Sequence, residues 1–348
     1  MTTPASTASG RGSRRSTGTV TLSDVAKVAE VSQQTVSRAI RTPLQVSPST
    51  LQRVEWAIGQ TGYVPNQTAS SVATNRTLTV AAIIPVISVS IFADAMHELE
   101  DVLATSGYQI LLGITNYSLE HEEQLVRTFL SRRPDGFFVL GTDHTPATTT
   151  MLKNARVPVV ETWDMNQHPI DCLVGFSNAD SIAAMVRHVV ERGYSRPTFA
   201  GARTDFRSTA RIEGFTRAMH ELLPNQPVRG VEPLDAALDM DAGKAMLHEM
   251  LARFPDTDVL VCSSDNYAAG ALLECLRLGI KVPETLAITG FGDFEMSRHL
   301  VPGLTSVATP HREIGRRSGE MLVQSLAGQR LDTRIVDLGF TVVARASA

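Results

Sequence analysis

The sequence has few cysteines, no long apolar segment and no signal peptide. Its 348 residues include only Cys172, Cys262 and Cys275. This odd number without the close spacing of a zinc site predicts reduced thiols in the core. No apolar run approaches the roughly 18 residues of a membrane-spanning helix. The N-terminus also lacks the apolar centre of a secretory signal. We therefore expect a cytoplasmic globular protein without membrane contact.

Motifs of the common enzyme classes are missing as well. The sequence has no G-x-S-x-G elbow, no phosphate loop ending in Gly-Lys-Ser/Thr and no H-E-x-x-H zinc motif. Its nine histidines are scattered. We interpret His144, His188 and His311 as polar residues with hydrogen-bond partners rather than as bases or metal ligands. The sequence thus predicts no enzyme, no metal site and no cofactor.

Charge is distributed unevenly along the chain. Residues 1–76 hold eight Lys or Arg and three acidic residues, a net charge of +5, whereas the whole chain has a net charge of −4. A basic N-terminal part on an acidic body favours DNA as the partner of the first part and a different partner for the second. Residues 1–18 are rich in Ser, Thr, Gly and Arg, and we expect a disordered tail there.

The basic part contains the pattern of two short helices joined by a tight turn. Thr21 is placed to begin a first helix with Asp24 in its first turn, and Ser32 is placed to begin a second. On the second helix Thr35 points inward at helical spacing. The remaining polar side chains of this helix can meet phosphates or base edges, and they are Gln33, Gln34, Ser37 and Arg38. The alternative is a helical hairpin that only packs. Ser47 and Pro48 begin a third helix.

From Leu78 onward short apolar runs alternate with longer amphipathic stretches, which is typical of an α/β fold. We predict helices at 178–192, 211–222, 242–253 and 267–278. The predicted strands span residues 80–85, 109–113, 136–140, 157–160, 173–176, 197–200, 259–262 and 286–291. Parallel sheets flanked by helices place ligand-binding groups at the carboxyl ends of strands.

At these residues the chain resembles the lactose/galactose-repressor (LacI/GalR) family of bacterial transcriptional regulators. The residues that carry the resemblance are Leu22-Ser23-Asp24-Val25-Ala26, Val31-Ser32, Thr35-Val36-Ser37-Arg38, Gly62-Tyr63-Val64-Pro65-Asn66, Arg211 with Gly214-Phe215, and Gly290-Phe291. Stretches such as His144-Thr145-Pro146 and Asp337-Leu338-Gly339-Phe340 are similar to its gluconate-utilisation repressors. The resemblance implies a helix-turn-helix domain at 19–64, a hinge at 65–77, and an effector-binding and dimerisation domain at 78–348. That last domain has two lobes like those of type I periplasmic binding proteins.

The resemblance also implies the DNA contacts. Gln33 and Gln34 open the helix that reads bases, with Arg38 one turn further on. Val72 falls where the family inserts an apolar wedge into the minor groove, although the usual occupant is Leu, so we expect a smaller bend. The full set of expected DNA-binding residues is Thr21, Ser32, Gln33, Gln34, Thr35, Ser37, Arg38, Asn66 and Val72.

Arg211 matches the family arginine that lies beside the ligand, and its guanidinium can hold a carboxylate. Arg207 is either a second anion-binding group or a solvated surface arginine. Phe92 and Trp163 are either an aromatic wall or core, and Asp265 either contacts the ligand or caps a helix. The remaining candidates follow predicted strands, and they are Ser88, Asn116, Glu161 and Asp293. Gly292 stands where the family often has Asp, which favours an acidic ligand, and Asp293 is a partial replacement.

These expectations combine into a homodimeric repressor that binds palindromic double-stranded DNA on the nucleoid and responds to a sugar acid. Gluconate acting as inducer is the hypothesis that the resemblance favours. A ketogluconate, a phosphorylated sugar acid or a neutral sugar, and a corepressor instead of an inducer, stay open. A solute-binding protein would share the two lobes, but the basic N-terminal part argues against it. Residues 334–348 lack heptads, which favours a dimer over a tetramer.

Overall fold

A computed structural model describes residues 20–64, 76–202, 206–232 and 238–348 of the chain. The predicted tail at 1–18 and the hinge positions Asn66 and Val72 lie outside these described residues. Two compact units divide the chain, 1–75 and 76–348. No helix in the described part is long and apolar enough to span a membrane.

The first unit contains three helices, α1 (Leu22–Val28), α2 (Gln33–Arg41) and α3 (Pro48–Thr61), with a 3-10 turn at Pro43–Gln45. Ser32 begins α2, where its hydroxyl accepts a hydrogen bond from the Thr35 N–H at 3.1 Å. Ser47 begins α3 in the same way, and Gly62 ends it at φ +64°. The three helices share a small core, whose buried members are Val25, Ala26, Ala29, Val36, Ala39, Val54, Ala57 and Tyr63.

Each lobe of the second unit is built on one six-stranded sheet. The first lobe has the strand order β11-β5-β4-β3-β1-β2 and is parallel throughout. Its strands are β1 (Thr79–Ile84), β2 (Gln109–Ile114), β3 (Gly136–Leu140), β4 (Val159–Thr162), β5 (Cys172–Gly175) and β11 (Ile335–Asp337). Its helices are α4 (Ser90–Ala104), α5 (Leu119–Ser131), α6 (Pro146–Ala155) and α11 (His311–Leu326).

The second lobe has the order β12-β10-β9-β8-β6-β7, and only its β10–β12 pair is antiparallel. Its strands are β6 (Pro197–Ala200), β7 (Gly230–Val231), β8 (Val259–Cys262), β9 (Ala287–Gly292), β10 (Thr305–Ala308) and β12 (Thr341–Val343). Its helices are α7 (Asn178–Glu191), α8 (Phe206–Leu222), α9 (Met240–Arg253) and α10 (Asp265–Leu278). A 3-10 turn at Glu295–Arg298 follows β9.

The chain crosses between the lobes three times, after β5, after β10 and after β11. Close helix packing holds the elements next to these crossings. A Cβ added to Gly214 of α8 would lie 2.0 Å from the carbonyl oxygen of Ala179 in α7. A Cβ added to Gly315 of α11 would likewise lie 2.0 Å from the carbonyl oxygen of Ala95 in α4. Only glycine permits these contacts. The second lobe therefore contains a rigid helix pair, α7–α8, and the first lobe contains another, α4–α11.

Candidate functional sites

The exposed face of α2 is the candidate DNA interface. The buried Val36 and Ala39 dock α2 against the other helices, which turns Gln33, Gln34 and Arg38 outward. Their side chains make no hydrogen bond to any other residue that the structure describes. Two amides and one guanidinium on a projecting helix can therefore reach base edges in a major groove.

The other predicted polar residues of this unit hold the helices in place. Both the main-chain N–H and the hydroxyl of Thr21 donate to Asp24, at 2.9 and 2.7 Å, and the hydroxyl bond is the main cause that lowers the pKa of this carboxyl. The Ser32 and Thr35 hydroxyls are 2.9 Å apart. Ser37 accepts a hydrogen bond from Arg41 Nε at 3.1 Å. These groups fix the register of α2 while the glutamines and Arg38 project.

A small cavity, the inner pocket, lies between the two lobes and encloses about 40 Å³. The first lobe contributes its aromatic wall, in which Phe92 and Trp163 meet edge to face with ring centroids 5.2 Å apart. The second lobe contributes Arg207 and Arg211 from α8. The complete lining is Val89, Ile91, Phe92, Tyr117, Trp163, Arg207, Ser208, Arg211, Leu238, Ser263, Ser264, Phe291 and Phe294.

Arg211 is held by groups on three sides. Its Nε donates to Asn178 Oδ1 at 2.9 Å, its Nη1 donates to the Ser263 carbonyl oxygen at 3.2 Å, and its guanidinium carbon lies 3.9 Å from the centre of the Phe291 ring. Asn178 is fully buried and donates in turn to the Trp163 carbonyl oxygen at 2.8 Å. A cation with its orientation set in advance suits an anionic ligand, because less side-chain entropy is lost on binding.

Arg207 is buried, with 6% of its surface exposed, and its guanidinium carbon lies 5.9 Å from the Phe92 ring centre. The alternative of a solvated surface arginine is therefore wrong. Phe92 and Trp163 are both buried and line the inner pocket, so each of them is core and wall at once. Burial raises the pKa of the neighbouring Asp164 carboxyl, and this rise is opposed by hydrogen bonds from Met165 and Asn178 and by the charges of the two arginines.

A second cavity, the outer cavity, adjoins the inner pocket and shares Tyr117 and Arg207 with it. It encloses about 440 Å³. The complete lining is Pro85, Thr115, Tyr117, Ser118, Leu119, Glu120, Glu122, Leu140, Gly141, Thr142, Asp143, Phe206, Arg207 and Thr209. Both lobes contribute to it, since Phe206, Arg207 and Thr209 belong to α8. Polar and charged groups therefore continue outward from the two arginines.

The structure corrects the interpretation of Glu161, which is 1% exposed and lines neither cavity. Its carboxylate accepts a hydrogen bond from the Ile170 N–H and lies 3.4 Å from His144 Nε2. His144 Nδ1 in turn meets Glu122 at 2.7 Å. Burial alone lowers the pKa of His144, but the bonds to Glu122 and Glu161 raise it to about 9. We call these three residues the buried triad.

Asp265 is fully buried and lines neither cavity, so it is placed to organise the second lobe rather than to contact a ligand. Its carboxylate accepts hydrogen bonds from the Phe294 N–H at 2.7 Å and from the Ser297 and Ser306 hydroxyls at 2.6 Å. Burial raises the pKa of this carboxyl to about 6, against the lowering effect of these donors. Ser264, and not Asp265, caps the helix that follows.

Three further candidates also lie outside both cavities. Asp293 forms an ion pair with Arg345 Nη1 at 2.6 Å and lines neither cavity. Ser88 and Asn116 are exposed, and neither belongs to the lining of either cavity. After β2 it is Tyr117, the neighbour of Asn116, that lines both cavities.

Both units of the chain are similar to known protein families. Residues 21–66 match the family model described as bacterial regulatory proteins, lacI family, and residues 186–348 match the one described as a periplasmic binding protein-like domain. Similar curated proteins include the HTH-type transcriptional regulator GntR of Pseudomonas aeruginosa, which is 35% identical over 96% of this chain and 97% of its own length. The HTH-type transcriptional regulator IdnR of Escherichia coli K12 is 32% identical over 93% of this chain and 97% of its own length.

Solved structures agree with this assignment. A LacI-family transcriptional regulator from Silicibacter pomeroyi superposes with a TM-score of 0.89 at 33% identity, over 94% of this chain and 99% of that one. The lac repressor dimer bound to operator and the anti-inducer ONPF superposes with a TM-score of 0.82 over 94% and 99%. Its 23% identity supports the shared fold alone.

Proposed function

Because the chain belongs to the LacI family of bacterial transcriptional regulators, we propose that it is a repressor whose affinity for operator DNA is controlled by gluconate. Residues 19–64 bind the DNA, residues 65–77 act as the hinge, and residues 78–348 bind the effector and form a homodimer. The protein acts in the cytoplasm, on the nucleoid. The relatives named GntR and IdnR support the subgroup from which the gluconate assignment is taken.

The exposed polar face of α2 supports the DNA-binding part of this proposal. Gln33 and Gln34 stand at its first two positions and Arg38 one turn further on. Glutamine can bond an adenine edge and arginine a guanine edge with two hydrogen bonds each. Two copies of this helix in a symmetric dimer would read the two halves of a palindromic operator.

The observation that carries the effector assignment is the pair of arginines on one wall of the inner pocket. Two guanidiniums in a largely buried place favour an anionic group, and the aromatic rings of Phe92 and Trp163 suit the carbon face of a sugar-like chain.

The size of the inner pocket supports a link between effector binding and lobe arrangement. A buried water needs about 10–15 Å³, so about 40 Å³ holds a few water molecules and not a six-carbon sugar acid. A hexonate has to extend into the outer cavity or move the lobes apart. A ligand that prefers one lobe arrangement and an operator that prefers another weaken each other's binding equally.

Calorimetric titration of the full-length protein tests the assignment. Gluconate is compared with a ketogluconate, a phosphogluconate and a neutral hexose, and operator binding is then measured with and without each ligand that binds. We expect gluconate to bind and to release the operator. Arg211→Ala should abolish gluconate binding, whereas Arg217→Ala should keep it, because Arg217 lies on the same helix outside both cavities and pairs with Asp180.

The outcomes separate the parts of the proposal. Binding of only the neutral hexose would overturn the sugar-acid assignment and leave the repressor assignment intact. Gluconate binding that strengthens operator binding would replace the inducer by a corepressor. Equal loss of gluconate binding in Arg211→Ala and Arg217→Ala would contradict the inner pocket as the binding site.

A further inference from the structure

The charges along the cleft change sign from its inner to its outer part. The inner pocket contains Arg207 and Arg211, whereas the outer cavity is lined by the acidic residues Glu120, Glu122 and Asp143 beside the shared Arg207. A ligand that spans both parts therefore meets cations at one end and anions at the other. Building on the proposed function, we propose that Asp143 and Glu120 make this site selective for monoanionic aldonates and exclude dianionic ligands of the same length.

Asp143 is the central residue of this inference. It follows β3 in the loop that leads to His144, it is exposed, and it lines the outer cavity. Within the described part of the chain its carboxylate has neither a hydrogen-bond donor nor a cationic partner. An unneutralised carboxylate at the cavity wall accepts hydrogen bonds from hydroxyl groups and repels a second carboxylate or a phosphate.

Glu120 and Glu122 lie in the first turn of α5, where acidic side chains also favour the helix dipole. Glu120 accepts a hydrogen bond from the Ser118 hydroxyl at 3.0 Å. The start of the helix is therefore sufficient to explain an acidic residue at position 120. Both acidic residues nevertheless lie at the positive end of α5, where they oppose the attraction of that end for an anion. Glu122 is paired with His144, so the negative charge along the outer cavity comes from Glu120 and Asp143. Helix stability does not account for Asp143, which lies outside α5.

The buried triad fixes the position of these charges. His144 next to Asp143 bonds to Glu122 of α5 and lies against Glu161 of β4. The side chains of the three residues are between 1% and 6% exposed. The loop that carries Asp143 is thereby tied to the first turn of α5 and to the neighbouring strand. This arrangement keeps the acidic wall, which Glu120 and Asp143 form, in place when a ligand approaches.

The ligand orientation follows from the same distribution. The carboxylate of an aldonate lies at Arg207 and Arg211, and its terminal hydroxyl groups lie at the acidic wall, where they donate to Asp143. An aldarate carries a second carboxylate at that end, and a phosphorylated aldonate carries a phosphate there. Repulsion between like charges in this partly solvated cavity should weaken either ligand by about ten-fold or more relative to the aldonate.

Titration calorimetry with gluconate and glucarate, which have the same six-carbon chain and differ by one carboxylate, tests this inference. The proteins are the native chain, Asp143→Asn, the double variant Glu120→Gln/Asp143→Asn, and Asp332→Asn as a control for the change in net charge. Asp332 is exposed and lines neither the inner pocket nor the outer cavity. We expect a ratio of glucarate to gluconate dissociation constants of about ten or more in the native chain and in Asp332→Asn.

The ratio should narrow progressively in Asp143→Asn and in the double variant, mainly because glucarate binds more tightly. In the native chain and in Asp332→Asn, higher salt should narrow the ratio as well, since the acidic wall is partly solvated. Glucarate binding as tight as gluconate binding in the native chain, or a ratio that neither variant changes, would overturn the inference and leave gluconate as effector. Absence of gluconate binding would instead overturn the proposed effector itself.

Discussion

Asn178 and Arg211 are joined by a hydrogen bond of 2.9 Å, and this bond links α7 to α8 within the second lobe. Asn178 opens α7 immediately after the first crossing between the lobes, and its amide nitrogen donates to the carbonyl oxygen of Trp163 beyond β4. One buried amide therefore couples the proposed anion-binding cation to the aromatic wall that faces it.

We predict that Asn178→Ala weakens effector binding although Asn178 lines neither cavity. Arg211 loses the acceptor that orients its Nε, and a hydrogen bond to a charged group contributes about 1.5–3 kcal/mol. The dissociation constant of gluconate should rise by about ten-fold or more, as measured by calorimetry. Asn154→Ala is the matched control, since Asn154 is exposed on α6. Equal affinities of the two variants would show that Arg211 needs no support from Asn178.

Gly214 and Gly59 predict opposite effects of the same substitution on stability. In Gly214→Ala the new methyl group would lie 2.0 Å from the Ala179 carbonyl oxygen, so α7 and α8 must separate. We expect a loss of about 1–3 kcal/mol in the stability of the second unit, and weaker effector binding because α8 carries Arg207 and Arg211.

Gly59 lies in the exposed part of α3 with no atom near its missing Cβ, so Gly59→Ala should stabilise the first unit by about 0.5–1 kcal/mol. Urea unfolding, followed by signals of each unit, measures both changes. A neutral Gly214→Ala would contradict the rigid packing of α7 on α8.

The buried triad predicts a loss of stability at alkaline pH. The pKa of His144 is raised from 6.5 to about 9 in the folded protein, so its contribution is complete below pH 6.5 and is lost as the pH rises through about 9. The shift corresponds to at most about 3 kcal/mol. In Glu122→Gln the histidine loses one anionic partner, so the loss should begin at lower pH. Urea midpoints between pH 6 and 9.5 measure this, and identical profiles would contradict a charged His144.

Sequence patterns predicted the buried elements well. Strands β3, β6 and β8 have the predicted bounds. In β3 and β8 the reason is that a strand buried on both faces reads as an uninterrupted apolar run. Strands β7, β11 and β12 were missed since they are only two or three residues long and lie at sheet edges. The buried β10 has the sequence Thr-Ser-Val-Ala, which carries no apolar signal.

The candidate site was predictable only where the resemblance or the end of a strand singled out a residue. Among the candidates, Phe92, Trp163, Arg207 and Arg211 line the inner pocket. The role of Asn178 and the buried triad depends on contacts between elements far apart in the sequence, such as Glu122, His144 and Glu161. The desolvation and pairing of these groups are set by tertiary packing, which a single sequence does not reveal.

Two variants of α2 should distinguish the residue that stabilises this helix from the residue that reads bases. Ser32→Ala removes the acceptor for the Thr35 N–H, which should cost about 1 kcal/mol of helix stability. Its operator affinity should fall by a similar factor for every operator variant, since an N-cap carries no sequence information. Gln34→Ala removes an exposed amide without an internal partner, so the fold should be unaffected.

In Gln34→Ala the ranking of operator variants should change, with a loss of about 1–3 kcal/mol confined to operators that keep the base that Gln34 reads. Gln60→Ala, a change of the same chemistry at an exposed position of α3, should alter neither affinity nor ranking. Fluorescence anisotropy with a set of single-base operator variants measures all three proteins. A uniform loss in Gln34→Ala would assign this side chain to the phosphate backbone, because phosphate contacts weaken binding equally on every sequence.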